Sequence, residues 1–83
     1  MRAVCQIVGL GERKTGQSSK TGKPYDFQTV AFVFDDRFIN GKRAATANVS
    51  GPELDRVPLN LGDVVEMVLH QDNDRFFVDA ILG

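Results

Sequence analysis

Apolar and polar residues alternate along most of the chain, most clearly between Tyr25 and Phe34. Successive side chains of a strand point to opposite faces, so this alternation predicts a strand with one face in a core. The core-facing set becomes apolar toward its end and comprises Asp26, Gln28, Val30, Phe32 and Phe34. The other face comprises Tyr25, Phe27, Thr29, Ala31 and Val33. Pro24 suits the first position of this strand, because proline cannot donate a hydrogen bond to a sheet.

Four further segments favour strands by their alternation or by their content of Val, Ile and Phe. They are Met1–Leu10, Arg43–Ser50, Asp63–His70 and Phe76–Leu82. The second of them carries a small apolar face formed by Ala45, Ala47 and Val49. Asn40-Gly41 is a strong signal for a two-residue hairpin turn. Residues 12–23 are basic and lack apolar periodicity, so they predict a mobile loop or the tip of a hairpin.

No segment places apolar residues at helical spacing over three turns. Glu53–Pro58 fits either one short helical turn or a plain connection, and Gln71–Arg75 fits a turn. Five short strands without a long helix predict an all-β fold, a small five-stranded antiparallel barrel that is either OB-fold-like or SH3-like. The OB-fold is the commoner host of nucleic acid. We expect residues 1–83 to form one domain.

The composition is that of an ordinary globular domain, with 42% hydrophobic and 25% charged residues. No apolar run approaches the roughly 18 residues of a transmembrane helix. The N-terminal residues lack the length and the small-residue cleavage site of a signal peptide. Cys5 is the single cysteine, so no internal disulfide can form. We therefore expect a cytoplasmic protein without membrane association.

The charge is unevenly distributed although the net charge is only −1. Residues 1–43 contain eight Lys or Arg and four acidic residues, whereas residues 44–83 contain two and seven. A basic half and an acidic half can produce a cationic groove on an otherwise polar surface. The alternative is two solvated faces that have no partner.

Motifs for catalysis, metal binding and cofactor binding are absent. The run from Gly16 to Lys23 resembles a phosphate-binding P-loop, but five residues separate its glycines instead of four. Pro24 also stands where the magnesium-binding Ser or Thr belongs. His70 is the only histidine and has no activated-serine context, and Cys5 alone cannot form a zinc site. We expect no enzymatic activity, no metal and no cofactor.

Aromatic and basic residues lie close together around the start of the second predicted strand. Tyr25 and Phe27 share a face beside the basic loop, where exposed rings next to cations can stack on unpaired bases. The alternative for both rings is packing in the core or at its rim. Candidate phosphate contacts are Lys14, Lys20 and Arg43, followed by Arg13 and Lys23. Phe38, in the predicted hairpin, either stacks on a base or caps the hairpin. No helix suits the major groove of a duplex.

One short run is similar to a known family. Ser19-Lys20-Thr21-Gly22-Lys23-Pro24-Tyr25 resembles the segment S-R/K-x-G-K-P-Y of the gene-five single-stranded DNA-binding proteins of filamentous bacteriophages. Gly62–Leu69 and Phe76–Ile81 are similar to the fourth and last strands of that family. Its members are OB-fold homodimers of similar length that coat the single-stranded phage genome cooperatively. By position, the resemblance implies phosphate contacts by Lys14 and Lys20, stacking by Tyr25 and an apolar contact by Phe27.

The chain departs from the family in its last hairpin. Ala80 stands where the family has a basic residue, and Gln71–Arg75 lacks the aromatic at the loop tip. The expected function is sequence-tolerant binding of single-stranded DNA by a homodimer, in phage replication and genome packaging. Two alternatives remain, namely a small β-barrel module that binds a protein, and a single-stranded RNA binder that represses translation.

Overall fold

The computed structural model describes residues 1–83 and contains five strands and one short helix. These elements are β1 (Arg2–Gln17), β2 (Pro24–Asp35), β3 (Lys42–Ser50), α1 (Gly51–Arg56), β4 (Val64–Asp72) and β5 (Arg75–Ile81). The strands form one sheet in the order β3-β2-β1-β4-β5, and every neighbouring pair is antiparallel. The predicted all-β class and the five antiparallel strands are confirmed.

A single apolar core lies on the inner face of the strongly curved sheet. It contains fourteen buried hydrophobic residues, and no polar or charged side chain is buried. Val30, Phe32 and Phe34 of β2 face this core as the alternation predicts. Phe34 packs edge-to-face against Phe76 of β5, with 5.6 Å between the ring centroids. This contact joins two strands that are not neighbours in the sheet, since β1 and β4 lie between β2 and β5 in the strand order.

The sheet curls into an OB-fold-like barrel that is not closed. Its two edge strands, β3 and β5, approach each other without pairing through backbone hydrogen bonds. The Arg43 guanidinium of β3 lies over the Phe76 ring of β5, 5.0 Å from its centroid. A side-chain contact therefore bridges an open seam between the edge strands, in keeping with the partly open barrel of OB-folds.

The first strand is longer than the sequence pattern indicates. β1 runs to Gln17 instead of ending near Leu10, and the connection to β2 is confined to residues 18–23. Two register shifts, between Ile7 and Gly9 and between Leu10 and Arg13, interrupt its pairing with β2. Each irregularity inserts residues that bend the strand and change which side chains face inward. Residues 12–17 show no apolar periodicity because all of them are exposed, although residues 13–17 pair with β2.

The turn predicted at Asn40-Gly41 is wrong in detail. The β2–β3 hairpin exists, but its connection has six residues, because Asp35 pairs with Lys42. A two-residue type I′ turn needs positive φ at both central residues, and here only Gly41 has it, at 89°. The Asp36 carboxylate accepts a hydrogen bond from the Phe38 backbone N–H at 3.0 Å, which turns the chain earlier.

The segment after β3 is the short helix α1, so Glu53–Pro58 begins within a helical turn and is not a plain connection. Ser50 caps α1, since its hydroxyl accepts a hydrogen bond from the Glu53 N–H at 3.4 Å, and Pro52 lies in the first turn. The Glu53 carboxylate accepts a 2.7 Å bond from the Ile81 N–H. Arg56 donates both to Glu53 and to the Ile81 carbonyl. α1 is thus fastened to the end of β5.

Candidate nucleic-acid interface

A two-stranded arm, residues 14–26, extends from one end of the sheet. β4 pairs only with Arg2–Gln6 of β1, and β3 pairs with β2 only from Phe27 onward. The arm strands therefore pair only with each other, from Gln17 with Pro24 to Thr15 with Asp26. An isolated two-stranded hairpin is marginally stable in water, so contacts at its base decide how well it is held.

Arg13 supplies those contacts. Its guanidinium donates two hydrogen bonds of 2.7 Å to the Asp26 carboxylate and one of 2.9 Å to Asp55 of α1. The same pairing holds the pKa of Asp26 and of Asp55 below their ordinary values and raises that of Arg13. A Cβ at Gly51 would collide with the Asp26 carboxylate, so glycine allows this close approach. Arg13 therefore faces α1 and is not available on the opposite, outer face.

The outer face of the arm carries an aromatic pair. The Tyr25 and Phe27 rings have centroids 5.9 Å apart and an interplanar angle of 49°. Tyr25 is 42% exposed and Phe27 half-buried, and neither belongs to the core. A Cβ at Gly16 would lie only 2.7 Å from the Tyr25 hydroxyl oxygen, so the absent side chain gives the ring room to lie across β1. Lys14 is the register partner of Phe27 on the same face.

The arm also carries positive charge that has no carboxylate partner. Five of the ten Lys and Arg side chains are in ion pairs with carboxylates, and five are not. Three of the five unpaired cations are in the arm, namely Lys14, Lys20 and Lys23, and all three are exposed. We call the surface formed by Tyr25 and Phe27, by Lys14 beside Phe27, and by Lys20 and Lys23 of the adjoining connection the arm face.

The arm face continues onto a floor of small side chains. Thr29 follows Phe27 on the outer face of β2, and its hydroxyl donates a 2.8 Å hydrogen bond to the Asn48 side chain of β3. The outer face of β3 is formed by Ala44, Thr46, Asn48 and Ser50, all exposed. No bulky side chain obstructs an extended ligand that leaves the arm in this direction.

Two other predicted binding residues lie elsewhere. Phe38 and Arg43 are near the far end of β2, which places them roughly 30 Å along the strand from Tyr25. Phe38 is 79% exposed and lies under the Arg37 guanidinium, 4.9 Å from the ring centroid. Arg43 donates a 3.0 Å bond to Asp36. The fold does not bring these residues to the arm face.

A groove that the sequence pattern does not reveal occupies the open seam of the barrel. It has a volume of about 500 Å³ and lies between residues 43–48 of β3 and residues 74–77 of the β4–β5 hairpin, with Thr29 at its margin. Phe76, in the second residue pair from the turn of this hairpin, is buried, whereas Phe77 is 39% exposed. The signal for an exposed Phe77 is strand alternation, but its position opposite β3 depends on the curvature of the whole sheet.

Comparisons with protein-family models, with curated proteins and with solved structures find no match to this chain. The structure also has no helix of the length and apolarity that crossing a bilayer requires.

Proposed function

We propose that this protein binds single-stranded DNA with little sequence preference, through the arm face. The observation that carries the proposal is the exposed Tyr25–Phe27 pair among three lysines that have no carboxylate partner. Aromatic rings stack on every kind of base, and free cations near them attract the phosphates without reading sequence. In the arm the pair of rings and the three unpaired lysines occur together within residues 14–27.

The location within the fold supports the same function. OB-folds bind oligonucleotides through the face of the second and third strands and through the loops that border it. Here the arm face lies at the start of β2 and in the β1–β2 connection. The Ser19–Tyr25 run, which resembles the gene-five family, lies in the same place. We extend the proposal accordingly to a homodimer that coats single-stranded DNA in phage replication and genome packaging, in the host cytoplasm.

Recognition of a duplex fits the structure poorly. Reading the major groove needs a helix or a ribbon that presents side chains to base edges. The six-residue α1 is fastened to β5 by Glu53 and Arg56 instead. The arm face offers rings and ammonium groups, which suit unstacked bases and phosphates.

The test uses the intrinsic fluorescence of the protein. The chain has one tyrosine and no tryptophan, so its emission reports on Tyr25 alone. We expect poly(dT) to quench this emission saturably, with weaker binding at higher salt, and a duplex of matched length to have little effect. A parallel titration with poly(rU) measures the preference between DNA and RNA.

Absence of quenching and of binding at low salt would overturn the proposal. The arm face would then be a solvated surface, and the protein-interaction module would become the better function. Tighter binding of poly(rU) than of poly(dT) would instead assign the same surface to RNA.

A further inference from the structure

The groove in the open seam is continuous with the arm face. Thr29 borders the groove, and it is the next outer-face residue of β2 after Phe27. Asn48, hydrogen-bonded to Thr29, lines the groove from β3. A strand bound across Tyr25 and Phe27 can therefore proceed over this pair of small polar residues into the groove, without crossing a charged or bulky barrier.

Phe77 presents a fixed aromatic surface to the groove. Its ring stacks on His70 of β4, with centroids 4.8 Å apart and an interplanar angle of 11°. His70 is itself held by Asp79, whose carboxylate oxygen lies 2.7 Å from the imidazole Nδ1. Because His70 covers the side of the ring toward β4, the opposite side is turned toward β3 across the groove. The side chain is therefore ordered before any ligand arrives, which lowers the entropy lost on stacking.

The groove also contains a cation that has no carboxylate partner. Arg75 lines it next to Phe77 and belongs to the five unpaired Lys and Arg side chains. Arg43 lines the opposite wall, and Asp74 is the one acidic residue among the lining side chains. An exposed ring beside a free guanidinium repeats, at the seam, the combination that characterises the arm face.

We propose that the groove is a second stacking subsite for the same single strand, in which Phe77 stacks on a base and Arg75 contacts a phosphate. This inference rests on the proposed function, since it takes the arm face as the place where the strand is first bound. It predicts that affinity rises with oligonucleotide length once the strand reaches from Tyr25 to Phe77.

The test compares a short and a long thymidine oligonucleotide, of about 4 and about 12 nucleotides, which bracket the range covered by single OB-folds. Phe77→Ala is expected to leave the affinity for the short oligonucleotide unchanged. Its affinity for the long one should fall about 5- to 100-fold, which corresponds to the loss of one stacked base. Phe38→Ala removes an equally large exposed ring outside the proposed path and should leave both affinities unchanged. Arg75→Ala should reduce the salt slope for the long oligonucleotide alone, by roughly 0.7.

A second variant keeps the test valid if Phe77→Ala fails to fold. Phe77→Trp retains an aromatic surface and introduces the only tryptophan of the chain. We expect the long oligonucleotide to quench its emission and the short one to leave it unchanged.

The outcomes separate the two proposals. If Tyr25→Ala weakens both oligonucleotides while Phe77→Ala weakens neither, the seam subsite is wrong and the arm face stands. If the unmodified protein binds neither oligonucleotide, the proposed function fails and the subsite fails with it.

Discussion

Adjacent residues at the base of the arm have opposite surroundings. Arg13 donates to Asp26 and Asp55 beside α1, whereas Lys14 lies on the outer face next to Phe27. Both belong to a paired strand, and neighbouring side chains of a strand point to opposite faces. The sequence places both cations in a basic loop, where this rule does not apply, and so assigns both to phosphate. Charge alone therefore cannot identify the cations that bind a ligand, because half of all Lys and Arg side chains are already paired with carboxylates.

The distinction between paired and unpaired cations predicts different salt effects. Lys20→Ala should lower the slope of log affinity against log salt concentration by roughly 0.7, the value for one phosphate contact on a single strand. Lys42→Ala is the matched control, because Lys42 is exposed but bonded to Asp35 at 3.0 Å. Its slope should equal that of the unmodified protein. Equal slopes for all three proteins would remove Lys20 from the interface.

At the scale of elements, the ion pairs of Arg13 with Asp26 and with Asp55 hold the arm against α1. We expect Arg13→Lys to keep the charge but lose the bidentate bond to Asp26, since lysine has no planar fork of donors. The loosened arm should exchange its amide hydrogens faster and be cut more readily by trypsin after Lys14 and Lys20. Single-strand affinity should fall severalfold with an unchanged salt slope, because every arm lysine remains.

Arg2→Lys serves as the control for this change. Arg2 also donates to a carboxylate, that of Glu66 at 2.7 Å, but it lies at the opposite end of β1. It should alter neither arm exchange nor affinity. Unchanged exchange in the arm of Arg13→Lys would show that the hairpin is held by its own backbone pairing.

The hydrogen bonds of Glu53 between α1 and β5 predict that the free energy of unfolding depends on pH. Hydrogen bonds from Arg56 and from the Ile81 backbone lower the pKa of Glu53 from 4.5 to about 2. A carboxyl whose pKa is lower in the folded state stabilises that state fully above about pH 4.5 and loses this contribution as the pH falls toward 2. The melting temperature of Glu53→Gln should therefore fall less across this window than that of the unmodified protein.

Glu12→Gln removes an exposed carboxylate that makes no hydrogen bond to a side chain, and it provides the comparison for Glu53→Gln. The remaining carboxylates titrate in all three proteins, so the difference between the curves isolates Glu53. Parallel curves of melting temperature against pH for the unmodified protein and Glu53→Gln would contradict this role of Glu53.

The sequence predicts elements well wherever alternation is uninterrupted. The inner faces of β2 and β3 follow directly from it, as do the outer positions of Tyr25 and Phe27. It fails for the second half of β1, because residues 11–17 are all exposed and so carry no alternation. It also cannot locate the groove beside Phe77, because strands distant in the sheet order meet there only through curvature. The local pattern therefore predicts which face of a strand a side chain occupies, whereas its neighbours on distant strands depend on how the sheet curves.

At the scale of the whole molecule, the outer face of the sheet has two dissimilar regions. One is the basic arm face. The other lies on β1 and β4, where Val4, Val8 and Val64 are each more than half exposed. The Arg2–Glu66 ion pair lies on the same face, because Glu66 is the register partner of Val4. Contiguous exposed apolar residues bordered by charges mark protein interfaces more often than free surface.

We therefore expect the homodimer of the proposed function to form through Val4 and Val64, which leaves both arm faces free for the strand. Sedimentation at tens of micromolar should give twice the chain mass of 9.1 kDa. Val64→Asp should give the monomer mass, because it places a charge in the desolvated centre of the interface. Phe38→Ser, at an exposed apolar residue outside this region, should remain a dimer.

If the unmodified protein sediments as a monomer, the dimeric part of the proposal is wrong, while binding by a single arm face remains testable by the poly(dT) titration. If Val64→Asp stays dimeric, the interface lies elsewhere, and the open edge of β3 becomes the next surface to test, since an unpaired edge strand can pair with its copy.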